Sequence, residues 1–351
     1  MNLPPLPRQP DTVAWPTDRW PERLGVSSEA GALLAAIFDD VDRFATTYAV
    51  VVIQGGELVF ERYANALTNW SGPDIAVNRD TAMLSWSMAK SITHAAVGIL
   101  VRDGRIEPGA PAPVAAWSSD ERSTITVDHL LTMRDGLDFV EDYVADPITG
   151  DGVSDVIEML FGPGRDDVAA YAMHRPMLHP PGSVFNYSSG TSNIVARIVG
   201  DVVGGGADEM RCFLVDELFA PIGMRSADPR FDSAGTFVGS SYVHATARDF
   251  AKFGLLYLRD GVWDGRRLLP EGWVDHARTL RSIDSENGRP YGAHWWVVDD
   301  EHGTFWASGY QGQMIACVPD RDLIIVRLGK TGASLGPNLY KWRADLTEAM
   351  S

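Results

Sequence analysis

The stretch Ser87-Met88-Ala89-Lys90 opens the segment that decides how this chain folds. Apolar residues follow at helical spacing until Gly104, and this pattern predicts a helix with a buried face. Residues three apart lie on the same face of a helix, so the Lys90 amine can reach the Ser87 hydroxyl. A lysine desolvated by apolar neighbours can lose its proton and accept the proton of a serine nucleophile. The segment therefore predicts a nucleophile, Ser87, beside its base, Lys90.

Lysine is scarce in this chain, since only four of its 30 basic residues are lysines. The alternative interpretation is an amphipathic helix that carries a surface lysine. The apolar residues around Lys90 favour a buried amine instead, and either Ser85 or Ser87 is a candidate N-cap for the helix.

Composition limits the classes of protein to consider. The chain has 351 residues, of which 45% are hydrophobic and 22% charged, as expected for a globular protein with a large core. Its net charge of −17 argues against nucleic acid or an anionic membrane as a partner. We expect Cys212 and Cys317 to be buried thiols. The chain shows no leader-like or membrane-spanning segment, so we expect a cytoplasmic protein.

Strand patterns occur near both ends of the chain, with helical patterns between them. The predicted fold class is therefore α+β, an α/β sandwich in which N- and C-terminal segments form one antiparallel sheet flanked by helices. We predict an extended lead-in over residues 1–28, a sheet lobe over 29–85 and 232–351, and a mostly helical lobe over 86–231. Predicted strands cover 48–53, 57–63, 292–298, 304–307, 313–318 and 323–328, the first two joined at Gly55-Gly56. Predicted helices include 29–44, 194–203, 208–219, 247–258, 271–280 and 339–350.

Three elements of the chain follow one another in a distinctive order. They are the Ser87 to Lys90 motif, Tyr187-Ser188-Ser189 about a hundred residues later, and Ala307-Ser308-Gly309-Tyr310-Gln311-Gly312-Gln313 near the C-terminus. This order resembles the penicillin-recognising serine hydrolases, which include class C β-lactamases, D-alanyl-D-alanine carboxypeptidases, β-lactamase-like esterases and 6-aminohexanoate-dimer (nylon-oligomer) hydrolases. The resemblance covers roughly residues 45 to 345 and implies a β-lactamase/DD-peptidase-like fold.

The resemblance implies that Tyr187 shares the proton transfers of Ser87 with Lys90. A tyrosine so placed can take the Ser87 proton and return it to the leaving group, and it would titrate as a coupled pair with Lys90. The alternative is a loop tyrosine bonded to the backbone. Ser189 stands where β-lactamases usually carry asparagine, which argues against lactam recognition; we retain Ser189 as a substrate-binding candidate.

The third element implies an oxyanion hole formed by the backbone N–H groups of Ser87 and Tyr310. Ser308 and Gly309 are substrate-binding candidates, although an ordinary bulged strand is the alternative for this segment. Ala307 replaces the Lys or His of the family, which removes the cation that would hold a β-lactam carboxylate. A Lys-Thr-Gly sequence also occurs at 330–332, but it follows the last predicted strand, so we predict that it is not the catalytic element.

One further candidate precedes the Tyr187 element. Tyr143 is similar to a mobile-loop tyrosine of the nylon-oligomer hydrolases, which implies a substrate contact; an aromatic side chain that packs the loop is the alternative. The histidines lack ligand spacing, and we interpret His244 and His294 as packing or surface residues. Most of the tryptophans Trp86, Trp295, Trp296 and Trp306 are expected in the core.

These residues predict a serine hydrolase that cleaves a small ester or amide through an acyl-enzyme on Ser87, without a cofactor or metal. The alternatives are a β-lactamase or D-alanyl-D-alanine carboxypeptidase and, from another class, a non-catalytic ligand-binding protein on the same fold. The expected partner is a small molecule, not nucleic acid or a membrane. The oligomeric state stays open, with a homodimer among the alternatives.

Overall fold

The structure is a computed structural model that describes residues 3–67, 74–141 and 154–350. Its α-helices are α1 (Ser28–Asp39), α2 (Val41–Phe44), α3 (Ala89–Arg102), α4 (Val127–Leu131), α5 (Asp155–Leu160), α6 (Val168–Met173), α7 (Ser189–Val203), α8 (Ala207–Leu214), α9 (Ala247–Leu258), α10 (Trp273–Arg278) and α11 (Gly336–Ala349).

The strands are β1 (Thr46–Gln54), β2 (Glu57–Tyr63), β3 (Ala66–Leu67), β4 (Ile75–Ala76), β5 (Met83–Leu84), β6 (Asp228–Pro229), β7 (Val243–Ala245), β8 (Val262–Trp263), β9 (Arg266–Arg267), β10 (Ser282–Ile283), β11 (Pro290–Tyr291), β12 (Trp296–Val297), β13 (Phe305–Gly309), β14 (Gln313–Val318) and β15 (Leu323–Lys330).

One antiparallel sheet joins the two ends of the chain, as predicted. Within the described ranges its eight strands lie in the order β10-β11-β12-β13-β14-β15-β1-β2. The N-terminal strand β1 pairs with the C-terminal strand β15, with Val51 opposite Val326. This long-range pairing makes residues near both ends of the chain parts of one sheet.

The β1–β2 hairpin forms where Gly55-Gly56 predicted it. Both glycines have positive φ, 62° and 78°, the conformation of a type I′ turn, whose twist matches that of the flanking strands. A side chain at either position would strain this turn.

Each face of the large sheet is covered by an apolar cluster. Alternate residues of β1 divide between the clusters, because successive side chains of a strand point to opposite faces: Val51 packs on one side and Val50 on the other. The first cluster also contains apolar residues of α3, α7 and α9, and the second contains residues of α1 and α11. The sheet is therefore the middle layer of a sandwich.

Some predicted elements are wrong in their bounds. The predicted helix 29–44 is divided at Asp40, whose side chain accepts a hydrogen bond from Arg43 N and caps α2. The predicted strand 292–298 is mostly a turn between β11 and β12, in which His294 adopts φ 54°. Cys212 is exposed rather than buried, whereas Cys317 is buried.

Candidate active site

Ser87 lies in a 3₁₀ turn, Trp86–Met88, that leads directly into α3. The Lys90 ammonium is buried and donates to the Ser87 hydroxyl at 3.1 Å. The helical spacing of the motif thus produces the contact that it predicted. Neither serine candidate caps the helix, because no side-chain cap bond forms at this turn or at the start of α3. The single proton of the Ser85 hydroxyl is instead within reach of the carbonyls of Trp86 and Ser241.

Three acceptors surround the Lys90 ammonium. Besides Ser87, it donates to Ser189 Oγ at 2.9 Å and to the Ser240 carbonyl oxygen at 3.2 Å. An ammonium has three N–H donors, so this environment satisfies all of them. The Ser240 carbonyl is positioned from α7, because Ser240 N donates to Asn193 Oδ1 at 3.1 Å.

Two opposing effects act on the pKa of Lys90. Burial disfavours the charged amine, whereas the Glu141 carboxylate favours it, and the balance lowers the pKa of Lys90 to about 8. A substantial fraction of neutral amine, able to accept a proton, therefore exists at slightly alkaline pH.

Tyr187 lies beside Lys90, two residues before the start of α7. Its ring centroid is 4.8 Å from Lys90 Nζ, and the Ser87 side chain lies close enough to act on the pKa of the phenol. Burial, together with the negative charge of Glu141, raises the pKa of Tyr187 well above its usual range, although the nearby Ser87 hydroxyl has the opposite effect on this pKa. Tyr187 therefore stays protonated where Lys90 begins to lose its proton.

Ser189 connects Lys90 to a carboxylate that the sequence did not indicate. Its hydroxyl donates to Glu141 Oε1 at 2.6 Å, and its backbone N–H donates to Glu141 Oε2 at 2.7 Å. Because Ser189 is fully buried and bonded on both sides, the structure places it inside the Lys90 environment. It was predicted as a substrate-binding residue; direct substrate contact stays a prediction.

The segment 307–310 lies against the residues that precede Ser87. A Cβ atom on Gly309 would lie 2.3 Å from the Ser85 carbonyl oxygen, so only glycine allows β13 to approach this closely. Tyr310 follows at the strand end, and its ring packs edge-on against Trp86 at 5.5 Å. The backbone of Tyr310 and that of Ser87 thus belong to adjacent segments, as an oxyanion hole requires.

Trp86 has φ 46°, the left-handed region that a bulky side chain rarely adopts. Its ring contacts Tyr242 as well as Tyr310. These packing contacts offset the backbone strain immediately before the nucleophile. No sequence signal marks this conformation.

The other candidates have different positions. Ala307 is buried in the core cluster that contains α3, and Ser308 is half-buried opposite Met314. Tyr143 lies outside the described residues. Lys330 is exposed at the end of β15, and Thr331 accepts a hydrogen bond from Arg327 at 2.7 Å and donates to the Phe44 carbonyl, so the Lys-Thr-Gly hydroxyl has a structural role.

Trp295, Trp296 and Trp306 are buried, as expected. His294 is also buried, with its ring nitrogens bonded to the Leu131 carbonyl and Ser192 Oγ. His244 is half-buried.

Two other features of the described chain lie apart from these residues. Glu301, His302 and Glu348 could together hold a metal ion, but both ring nitrogens of His302 are engaged by carboxylates of Asp320 and Glu348. A cleft of about 1550 Å³ opens between the N-terminal lead-in and residues 259–278, and none of the candidate site residues lines it. Neither feature is therefore part of the Ser87 site.

Sequence reasoning missed Glu141, Asn193 and the Ser240 carbonyl. Glu141 stands in an acidic stretch that is typical of a solvated loop, and nothing in its spacing pairs it with Ser189. Only the tertiary contacts show the two together.

An antiparallel sheet flanked by helices, with Ser87, Lys90 and Tyr187 converging beside one strand, is the architecture of β-lactamase-like serine hydrolases. The sequence matches the family model described as Beta-lactamase over residues 34–349. The chain therefore belongs to the beta-lactamase family.

Individual relatives agree with this assignment. The chain is 28% identical to a 6-aminohexanoate-dimer hydrolase of Paenarthrobacter ureafaciens over 298 residues, which cover 80% of this chain and 72% of the relative. It shares its fold with a Bacillus anthracis protein proposed to be a 6-aminohexanoate-dimer hydrolase (TM-score 0.75, 21% identity, 99% and 90% of the two chains). A penicillin-binding protein from Bacillus halodurans also has this fold (TM-score 0.69, 18% identity, 89% and 99%).

Among the described residues, no helix has both the length and the apolar character that crossing a membrane requires.

Proposed function

We propose that the protein hydrolyses a small ester or amide through an acyl-enzyme on Ser87. The observation that carries this proposal is the buried Lys90 ammonium 3.1 Å from the Ser87 hydroxyl, with the Tyr187 ring centroid 4.8 Å from the same ammonium. The 28% identity to a 6-aminohexanoate-dimer hydrolase supports a linear amide as one substrate type. The partner is thus a small molecule, and a cytoplasmic location belongs to the same proposal.

The opposite pKa shifts of Lys90 and Tyr187 support a division of roles in which Lys90 is the base and Tyr187 the acid. Neighbouring groups whose pKa values are moved apart commonly divide these roles. Neutral Lys90 takes the proton of Ser87 as Oγ bonds to the substrate carbonyl carbon, and the N–H groups of Ser87 and Tyr310 stabilise the resulting oxyanion. Tyr187 then protonates the leaving alcohol or amine as its bond to carbon breaks.

Restoring the enzyme requires one proton transfer and one water. Lys90 returns its extra proton to the Tyr187 phenolate, which regenerates the neutral pair beside the acyl-enzyme. Water then attacks the acyl carbon while Lys90 accepts a water proton. The bond between the acyl carbon and the Ser87 oxygen then breaks as Lys90 gives this proton to the Ser87 oxygen, so the step releases a carboxylic acid and restores the starting state.

A panel of three chromogenic substrates tests this proposal: a nitrophenyl ester, a nitroanilide and a cephalosporin. The wild type is compared with Ser87→Ala and with Ser91→Ala, a matched loss of a buried hydroxyl on the next turn. We expect ester or amide turnover that disappears in Ser87→Ala and persists in Ser91→Ala. Rapid cephalosporin opening would favour a β-lactamase instead, and no turnover of any substrate would favour a binding protein.

A further inference from the structure

Glu141 is held in place by bonds to its neighbours along the chain. Val140 N donates to Asp155 Oδ2 at 2.9 Å, and Asn186 Nδ2 donates to the Phe139 carbonyl at 3.0 Å. Asp155 is fully buried and also accepts from the Tyr171 hydroxyl at 2.7 Å. The backbone that leads to Glu141 is therefore fixed from α5, α6 and the residue before Tyr187.

The carboxylate of Glu141 meets the first turn of α7. It accepts from both donors of Ser189, the backbone N–H and the hydroxyl. The N–H groups of a helix's first turn lack partners within the helix, and the helix dipole favours an anion there. These contacts explain why the Glu141 carboxylate is stable in this position, close to the buried Lys90 amine.

The hydroxyl of Ser189 can have only one orientation in this arrangement. Its single proton is directed to Glu141 Oε1, so its lone pairs face the Lys90 ammonium 2.9 Å away. Glu141 thereby makes Ser189 an acceptor for Lys90, which completes a chain of hydrogen bonds from Glu141 through Ser189 and Lys90 to Ser87.

We propose that Glu141 and Ser189 are positioning residues: through Ser189, the carboxylate orients the Lys90 amine towards Ser87 and controls how readily it gives up its proton. This role for Glu141 and Ser189 in catalysis rests on the proposed function, in which Lys90 is the base. The charge of Glu141 raises the pKa of Lys90 against the lowering effect of burial, and it also raises the pKa of Tyr187.

Other titratable groups face this pair from the surrounding elements. The positive charge of Lys90 contributes to the low pKa of His294, which is lowered mainly by burial. Arg289 and Asp284 act on Tyr187 from the β10–β11 hairpin, in opposite directions. Glu141, unlike these three groups, acts on the pKa of both Lys90 and Tyr187. Its removal should therefore lower both pKa values together.

The scarcity of lysine makes a direct test possible. Biosynthetic ¹³Cε-lysine labelling yields only four lysine signals, and Lys90→Arg identifies the signal of Lys90. We expect Glu141→Gln to move the titration midpoint of Lys90 to lower pH by roughly 1 pH unit. Glu158→Gln, which removes a half-buried carboxylate of α5, is the matched control and should leave the midpoint unchanged.

Kinetics provide the second readout. In Glu141→Gln the acidic limb of kcat/KM should move to lower pH in parallel with the NMR midpoint, while the plateau falls about tenfold or more. Ser189→Ala should lower the plateau, and Ser189→Thr, which keeps the hydroxyl, should restore part of it. Thermal unfolding confirms that each variant is folded.

The two readouts separate this proposal from the proposed function. An unchanged Lys90 midpoint in folded Glu141→Gln would overturn the role of Glu141, whatever the enzyme hydrolyses. Absence of Ser87-dependent turnover in the wild type would instead contradict the proposed function, and the NMR titration would still decide whether Glu141 controls Lys90.

Discussion

At Lys90, burial and a neighbouring carboxylate act on one amine in opposite directions. The result is a pKa of about 8, far enough below the usual lysine value near 10.4 for the amine to act as a base. An arginine at this position would be buried equally but would keep its proton, because a guanidinium is effectively always charged. The chemistry of the site therefore depends on residue type as well as on position.

Lys90→Arg should abolish turnover while preserving the fold. We expect kcat/KM on the best substrate of the panel to fall on the order of 10³-fold, a typical contribution of a general base. Lys330→Arg is the matched control: this lysine is exposed, and its replacement should change kcat/KM by less than about twofold. A large loss in Lys330→Arg would show that the Lys-Thr-Gly sequence takes part in the reaction.

The wild type should gain activity as Lys90 loses its proton. In the proposed mechanism neutral Lys90 is the active form, so kcat/KM should rise from pH 7 towards pH 9 with a midpoint near the pKa of about 8. The decline due to Tyr187 ionisation should come only at much higher pH, because the pKa of Tyr187 is raised. Initial rates at constant ionic strength measure the profile, and a rate that falls across this range would contradict the assignment of Lys90 as base.

His294 should make the fold sensitive to acid. Burial lowers the pKa of His294 to about 3, so between that pH and about 6.5 the unfolded chain binds a proton that the folded protein does not. Stability is thus lost as the pH falls below about 6.5. From pH 7 to pH 5 this group should cost about 2 kcal/mol of the free energy of unfolding.

Urea unfolding at pH 7 and pH 5 tests this effect in His294→Asn. Asparagine tolerates the φ of 54° at this position and does not titrate. The acid-induced loss should be smaller in this variant than in the wild type, whereas His174→Asn at an exposed position should behave like the wild type. Equal losses in all three proteins would assign acid sensitivity to other groups.

At the scale of elements, the meeting of β13 with the Ser87 turn depends on the absence of a side chain. Gly309 lies against the Ser85 carbonyl, and the turn that follows Tyr310 is held by Arg327, which donates to the Gln311 and Gly312 carbonyls at 3.2 and 3.1 Å. Arg327 is fully buried in β15. Residues of β13 and β15, the strands on either side of β14, therefore fix the segment that carries the Tyr310 N–H.

Gly309→Ala should damage the site more than the fold. The added Cβ would lie 2.3 Å from a backbone oxygen and 2.9 Å from Gln313 Cβ, so β13 must move away from the nucleophile. We expect kcat to fall on the order of 10²-fold and the free energy of unfolding to fall by about 1–3 kcal/mol. Gly332→Ala, where nothing lies within 4 Å of the added atom, should leave both near wild type; unchanged activity in Gly309→Ala would exclude this strand from the oxyanion hole.

At the scale of the whole molecule, one apolar cluster connects distant parts of the chain. It includes Trp20 of the lead-in, Val51 of the sheet and Ile92 of α3. Trp20 is buried, and its ring N–H donates to the Arg248 carbonyl at 3.2 Å. The lead-in is therefore anchored in the same core as the sheet and α3. The division into lobes at residues 86 and 232 stays a prediction.

Trp20→Ala should destabilise the whole molecule. Truncating a buried tryptophan leaves a large cavity and typically costs about 3–5 kcal/mol. Differential scanning calorimetry should show a lower Tm, whereas Leu24→Ala, with 65% of the leucine exposed, should have little effect. A normal Tm in Trp20→Ala would show that the lead-in contributes little to the core.

The sequence by itself determined the features that depend on local spacing. The three-residue separation of Ser87 and Lys90 is a property of a helix turn, and Gly55-Gly56 specifies a hairpin through positive φ. Successive side chains of a strand point to opposite faces, so the continuous apolar run 49–53 in β1 contributes to both core clusters. The family resemblance added the order of the elements, from which Tyr187 could be placed beside the same nucleophile.

The tertiary structure alone decided which distant groups surround Lys90. Glu141 and Ser189 are 48 positions apart, and the Ser240 carbonyl reaches Lys90 from 150 positions away. The left-handed Trp86 and the turn at His294 likewise depend on packing that local propensity does not encode. Spacing along the chain specifies contacts within one helical turn or between the two strands of a hairpin. The pKa of Lys90, in contrast, is set by burial and by a carboxylate that only the folded chain brings near.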